Sequence, residues 1–444
     1  MKAAEAQLDI AVYAGRRRRL ARAMGAGVAV IPTAPERRRN ADAHYPYRFD
    51  SYFYYLSGFD EPEATLVVVA GEAPKALLFC RERNEEREIW EGLRHGPQAA
   101  RERFGFDEAH PIAKLDEVLA SLIENQPALF YPVGADPQWD ARAMKWLNEA
   151  RAKVRAGVAA PERVQEVRAL LDDMRLVKDA HELSIMRRAA AISAEAHRRA
   201  MCATKPGRRE YEIEAELLHE FRRSGAQSPA YAPIVAGGAN ACVLHYVAND
   251  APLRDGELLL IDAGCELDGY ASDLTRTFPV NGRFSGAQRE VYELVLAAHR
   301  AAMDKVRAGN AWNEPHDAAV RTLAQGMLDL KLLRGGLDEA LEKETYKRFY
   351  MHRTGHWLGL DVHDAGDYKR SGRWRALEPG MTLTVEPGLY IRAAPDVPEP
   401  LRNTGVRIED DVLVGEGACE VLTAGAPKAV DDIEALIRDG RAAI

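Results

Sequence analysis

Residues 257–278 read ELLLIDAGCELDGYASDLTRTF. Four consecutive aliphatic residues, Leu258 to Ile261, lead into Asp262, and Asp273 follows within Ser272-Asp273-Leu274-Thr275-Arg276-Thr277. The apolar stretch Glu257–Ala263 reads as a buried strand and Ser272–Phe278 as a second. The turn residues Asp268-Gly269-Tyr270 would fold the two into a hairpin. That hairpin would set two carboxylates side by side. An unpaired buried aspartate is costly, and two close carboxylates repel, so a bound cation is a common reason for such a pair. Taken alone, Asp262 also reads as a turn cap beside Gly264, and Asp273 as the salt-bridge partner of Arg276.

Downstream, two more acids stand in strand-like segments. Met381–Val385 reads as a strand with Glu386 after it, just before Pro387-Gly388, and the proline biases Glu386 toward extended geometry. Val406–Val414 reads as another strand. There, period 2 puts Arg407 and Glu409 on one face and Ile408 on the other, although an ion pair would also explain the first two. Between these acids lies HRTGHWLGLDVH, residues 352–363, which holds three of the 12 histidines. Its glycines favour a loop, unlike the helical H-E-x-x-H of zincins. Asp262, Asp273, His356, Glu386 and Glu409 together form a hard, anionic donor set. Such a set suits two divalent cations of the Mn²⁺ type better than one cysteine-held Zn²⁺. Two such ions activate water and polarise a carbonyl together.

The rest of the chain bounds this reading. Its 444 residues suggest two or three domains, and 47% hydrophobic with 29% charged residues marks an ordinary globular chain. A net charge of −8 argues against nucleic acid as the main partner. The basic runs Arg16–Arg19 and Arg37–Arg39 read as a solvated helix face and a loop edge. Five scattered cysteines without C-x-x-C argue against a disulfide framework or a cysteine zinc site. No apolar run of roughly 18 residues and no cleavable leader is visible, so a cytoplasmic setting without membrane attachment is expected.

In the first third, helical Ile10–Met24 precedes strands at Gly27–Ile31, Thr65–Val69 and Ala76–Phe79, which indicates an α/β domain with a parallel or mixed sheet. Trp139–Ala152 and Pro161–Met174 read as helices, with a domain boundary near 174–178. Two helices, His181 to about Thr204 and Glu210–Ser224, open the second part. Helix returns at Gly286–Arg307 and Ala318–Leu333. Helices then strands, given twice, suggest an internal pseudo-repeat.

The segments IDAGCE, SDLTRTFPVNG, HRTGHWLGLDVHD, TVEPGLYI and GVRIEDD resemble the signature blocks of Xaa-Pro aminopeptidase (aminopeptidase P), in that family's order. Arg48, Asp50, Ser51, Phe53, Tyr55 and Gly58-Phe59 extend the resemblance into the N-terminal part. The resemblance implies an α/β (α+β) fold: a creatinase-like α/β domain over residues 1–175 and a pita-bread metallopeptidase domain over 176–444. It implies a metallo-aminopeptidase that releases the first residue of peptides with proline in second place, through a water bridging two Mn(II) ions, with Co, Zn or Mg as alternatives. Asp262 would bind one metal, Asp273 and Glu409 both, and His356 and Glu386 the other, with Glu386 also the base. His245 and His363 would act on the scissile peptide, and His352 would bind substrate. Arg407 and Tyr390 would orient Asp262. Trp90 resembles an aromatic that reaches a neighbouring subunit's site, which implies a homo-oligomer, dimer or tetramer; a core or surface tryptophan is the plain alternative.

Two residues depart from the pattern. Arg353 stands beside His352 where small residues are frequent, and Phe49 follows Arg48 where a polar residue is more usual. The rival readings are a prolidase, which must hold the free carboxylate of an Xaa-Pro dipeptide, and a non-catalytic pita-bread binding module. The complete ligand set disfavours the second.

Overall fold

The computed structural model describes residues 9–442. The chain divides into two compact units that part between Arg175 and Leu176. The first is built on a six-stranded mixed sheet. In spatial order its strands are Glu108–Pro111, Lys75–Cys80, Thr65–Ala70, Gly27–Pro32, Ala128–Tyr131 and Arg163–Glu166. Val28, Val30, Val67, Leu77, Phe79 and Leu129 pack one face of it against Leu115, Leu119, Trp146 and Leu147 of the flanking helices.

Two expectations fail here. Pro161–Met174 is not one helix: Arg163–Glu166 pairs in parallel with Ala128–Tyr131, and the helix runs only over Arg168–Leu176. The open edge of the sheet overrides local propensity at that point. Nor is Arg16–Arg19 a fully solvated face, because Arg16 and Arg17 are buried. Arg16 Nη1 donates to Tyr55 O and Arg17 Nη1 to Leu56 O, near the end of the helix Ser51–Ser57. Arg17 Nη2 reaches Phe104 O and Gly105 O, where the helix Gly96–Phe104 ends. The two guanidiniums satisfy last-turn carbonyls and oppose the helix dipoles. The block that carried the N-terminal resemblance is structural as well. Asp50 caps the helix Ser51–Ser57, Arg48 bonds Phe49 O and Ser51 Oγ, and Phe49 stacks on Tyr54 at 3.7 Å between ring centroids. Trp90 is 84% exposed, beside exposed Ile89 and Leu93.

The second unit repeats one plan. The helices Ala180–Ala203 and Glu210–Arg223 precede a three-stranded sheet of Ile234–Gly237, Leu258–Asp262 and Thr275–Pro279. Gly286–Met303 and Glu314–Asp329 precede a second, of Thr382–Val385, Asp410–Leu413 and Glu420–Val421. Capping boxes at Asp179/Glu182 and Ser285/Gln288 start the first helix of each half.

The hairpin read from residues 257–278 is present. Asp262 pairs with Thr275, and Cys265–Leu267 pairs with Tyr270–Ala271 across Asp268 and Gly269, both at positive φ. Gly264 is required at the crossing, since a Cβ there would lie 1.7 Å from Ser272 O. The strand expected over Val406–Val414 is interrupted. Thr404–Arg407 pairs with Gly388–Ile391, Asp410–Leu413 pairs with Thr382–Val385, and Ile408-Glu409 lies opposite Glu386-Pro387 in a matched gap. Pro387 has no N–H to give the ladder. Both acids therefore sit where the ladder is broken. Among the described residues no helix is long and apolar enough to cross a membrane.

Candidate metal centre

The broken ladder, the end of the first hairpin and the histidine loop meet at one cavity of about 1200 Å³. Asp262, Asp273, His356, Glu386 and Glu409 all line it, with His245, His352, His363 and Arg407. Tyr390 lies behind this wall, buried and bonded to two of its members. Asp273, His356 and Glu409 offer ligand atoms all within 4.8 Å of one another. Asp262 joins them through Tyr231, whose hydroxyl lies 2.6 Å from Asp262 Oδ1 and 2.5 Å from Asp273 Oδ1. Glu386 Oε1 stands 3.6 Å from His356 Nε2. His245 and His363 are exposed to the cavity, and the ring centroids of His363 and His356 are 4.3 Å apart.

Each donor is held from behind. His356 N donates to Thr384 Oγ1 and Thr384 N to His356 O, which docks the loop on the strand Thr382–Val385. Gly355 makes this close approach possible, because a Cβ would meet Thr384 O at 2.1 Å. His356 Nδ1 donates to Trp357 O at 2.9 Å and so turns Nε2 toward the acids of the site. Arg407 donates to Asp262 Oδ2 at 2.5 Å, to Thr275 Oγ1 and to the Tyr390 hydroxyl. Thr275 Oγ1 in turn donates a hydrogen bond to Glu409 Oε2 at 2.6 Å. His352 Nδ1 donates to Arg353 O, which leaves Nε2 to accept from Tyr390. The buried Lys178–Asp364 pair, at 2.9 Å, secures the far end of the histidine loop.

Four carboxylates thus face two cationic side chains, Arg407 and His356. Burial pushes Glu386 up to about 7, lifts Glu409 well above the carboxylate range, and raises Asp262 despite Arg407. Burial acts the same way on Asp273, but hydrogen bonding and charge from His356 outweigh it and hold that carboxyl low. His356 is raised to about 9: burial opposes its charge, while Asp273 and Glu386 favour it more. Burial, then Arg407, depresses His352 to about 3, so it is neutral. Hard oxygen donors around one presented imidazole, short of counter-charge, fit divalent cations.

Metal uptake must therefore displace protons. His356 near 9, Glu386 near 7 and the raised Glu409 predict that metal uptake releases protons, more at pH 6 than at pH 8, with affinity falling as pH falls. Calorimetry in buffers of different ionisation enthalpy measures the count; a count of zero at pH 6 would contradict these charge states.

Several residues of this site carried no usable signal in the sequence. Tyr231 lies in a Ser-Pro-rich loop, far along the chain from the aspartates it joins. Thr275 was visible only as a strand residue. Asp411 accepts from Ser272 Oγ and Asp273 N and so fixes the backbone of Asp273. Its place after Glu409-Asp410 suggested nothing of that.

Residues 184–416 match the metallopeptidase family M24, and residues 13–131 match the aminopeptidase P N-terminal domain. The chain is 45% identical over 403 residues to the Xaa-Pro aminopeptidase of Haemophilus influenzae, covering 90% of this chain and 91% of that one. It is 43% identical over 425 residues to the Escherichia coli Xaa-Pro aminopeptidase, covering 95% and 96%. The structure of Pseudomonas aeruginosa aminopeptidase PepP superposes with a TM-score of 0.96 at 51% identity, over 98% of this chain and 99% of that one. A glutamate-to-alanine variant of Escherichia coli aminopeptidase P, in complex with substrate, gives 0.95 at 42%, over 98% and 100%. The chain belongs to metallopeptidase family M24, as a member with the aminopeptidase P type of N-terminal domain joined to a pita-bread domain. Its activity is that of an Xaa-Pro aminopeptidase, a metal-dependent hydrolase acting on peptides.

Proposed function

We propose that Asp262, Asp273, His356, Glu386 and Glu409 hold two divalent cations, Mn²⁺ by preference, with Co²⁺, Zn²⁺ or Mg²⁺ as substitutes. The observation that carries this reading is the convergence of all five donors on one cavity wall, Asp262 and Asp273 under a single tyrosine hydroxyl. When bound, such ions lower the pKa of water and polarise the scissile carbonyl. The side chains supply the rest. Glu386, set in the cavity wall, takes the proton as water oxygen bonds to the carbonyl carbon, and returns it to the prolyl nitrogen as the C–N bond breaks. That nitrogen belongs to a tertiary amide without N–H, so its departure depends on this delivered proton. His245 and His363, open to the cavity, donate to the carbonyl oxygen as charge develops there. His352, neutral and held through both ring nitrogens by Arg353 O and the Tyr390 hydroxyl, meets the substrate with its ring. Arg407 fixes Asp262.

In this reading residues 176–444 form the catalytic domain and residues 1–175 the N-terminal domain. Exposed Ile89, Trp90 and Leu93 offer an apolar patch for assembly into a dimer or tetramer, and a sedimentation mass of one chain would refute that part. A cytoplasmic setting completes the proposal. The deciding assay compares an Xaa-Pro dipeptide with its Xaa-Pro-Yaa extension, with and without added Mn²⁺. The extended peptide is expected to be cleaved faster and only with metal. A strong preference for the dipeptide would establish a prolidase instead.

A further inference from the structure

The floor of the reaction cavity is acidic, whereas its exposed lining includes two cations, Arg353 and Lys369, and the half-buried Trp374. We propose that Arg353 and Lys369, ranged against the Trp374 indole, form a carboxylate-binding rim that selects peptides with an acid group beyond the scissile Xaa-Pro bond. The inference deepens the Xaa-Pro reading and rests on it.

The rim is built from a short run of sequence, Lys369-Arg370-Ser371-Gly372-Arg373-Trp374. Ser371 and Gly372 both adopt positive φ, the conformation of a two-residue hairpin turn. That turn sets Lys369 directly opposite Trp374 across the ladder. Lys369 Nζ consequently lies 4.1 Å from the indole centroid. From the histidine loop, the Arg353 guanidinium carbon approaches the same ring at 5.0 Å. Each contact is a cation–π pair, and the shared indole holds two long side chains that would otherwise disperse in solvent.

The hairpin is tied to the reaction centre. Arg375 N donates to Tyr368 O and Trp312 N to Arg375 O, closing its base. The Tyr368 ring lies parallel to that of Trp357, within 3° and at 5.6 Å, and its hydroxyl accepts from Trp357 N. Trp357 follows His356, and its carbonyl oxygen accepts the Nδ1–H bond. The distance from rim to floor is therefore set by packed aromatic rings. Arg353 is joined even more directly, as the neighbour of His352.

Charge decides what the rim accepts. Among the described residues no carboxylate lies within ion-pair distance of Arg353 or Lys369. A carboxylate arriving at the mouth of the cavity therefore meets two cations that lack a counter-ion and gains a charged donor there. A peptide whose ammonium end is drawn to the acids of the floor leaves its distal part at the mouth of the cavity. An acidic side chain after proline, or the terminal carboxylate of a tripeptide, supplies the same group.

Four substrates separate these sources: Ala-Pro-Glu-NH₂ against Ala-Pro-Gln-NH₂ for the side chain, and Ala-Pro-Gly against Ala-Pro-Gly-NH₂ for the terminus. At low ionic strength the acid member of at least one pair should show a kcat/KM roughly fivefold higher, the ratio that about 1 kcal/mol of screened ion pairing gives. The gain should lie in KM, because binding at the rim is the same in ground and transition states, and it should shrink in 0.5 M salt. In the double variant Arg353→Gly, Lys369→Gln the ratio should approach one. Equal rates within both pairs, or a preference that survives the double variant, would overturn the rim. Failure to cleave any of the four would instead overturn the Xaa-Pro reading.

Discussion

Asp273→Ala should lower Xaa-Pro hydrolysis by about a thousandfold or more while leaving the chain folded. The size follows from position. Asp273 is the carboxylate nearest His356, 3.4 Å from Nε2, and belongs to the one trio of side chains whose ligand atoms cluster within 4.8 Å among the described residues. A site that supplies several kcal/mol of charge stabilisation loses most of it when such a ligand goes, at 1.36 kcal/mol per decade of rate. The fold should survive because this carboxylate does not hold up the backbone around it. Asp411 grips the Asp273 N–H, which alanine retains. Electrostatics points the same way. Burial first, then the Asp273 charge, lifts Glu409, and Asp273 also contributes to raising Glu386. A carboxyl whose folded pKa is raised costs stability progressively as pH climbs from its unfolded value through the folded one. Removing Asp273 shrinks that cost near neutral pH, although His356 loses its partner. The metal-free variant should therefore melt within a few degrees of the parent. Full cleavage by Asp273→Ala would refute the site; a collapsed melting curve would refute the argument that the residue is chemical and not structural.

The sequence showed the hairpin from 257 to 278 because three independent local signals agreed there: an aliphatic run, a turn that permits positive φ, and a return strand. It also showed all five candidate ligands, since acids at strand ends and a glycine-flanked histidine are local features. What it hid depends on distance. Tyr231 bridges two aspartates more than thirty residues downstream, and no spacing rule predicts a phenol between them. The gap at Ile408-Glu409 has no local signal and the stretch reads as continuous strand, because only pairing with Glu386-Pro387 shows that the ladder must break. Arg16 and Arg17 looked solvated because composition cannot reveal that two helix ends need donors. Arg163–Glu166 looked helical because an open sheet edge is a tertiary fact.

The acids after Glu409 give the second large effect. Replacing Arg276 by methionine should destabilise the chain by about 3–5 kcal/mol, lowering Tm by roughly 10 °C at this size. It should also weaken metal binding some 10–100-fold. Arg276 is fully buried, and its guanidinium joins Asp410 Oδ1 at 2.8 Å to the carbonyls of Thr275, Glu409, Ala426 and Pro427. Methionine fills similar space but leaves four carbonyls without that donor. It also leaves Asp410 with Lys428, Thr423 and a His299 imidazole that burial keeps neutral. Burial alone would raise Asp410; Arg276, then His299 and Lys428, hold it well below 3.8. A depressed carboxyl lends stability that is present above its unfolded pKa and is lost as pH falls through the folded one. The deficit of the variant should accordingly be full at pH 7 and narrow in strong acid. The metal effect has a separate cause: Arg276 holds Glu409 O at 2.6 Å, while Thr275, bonded through its own carbonyl to the same guanidinium, positions the Glu409 carboxylate. A methionine variant with unchanged Tm and metal affinity would show that Glu409 is placed by its N–H bond to Thr275 O and the flanking strands alone; a variant that melts early yet binds metal as tightly would confine Arg276 to the core.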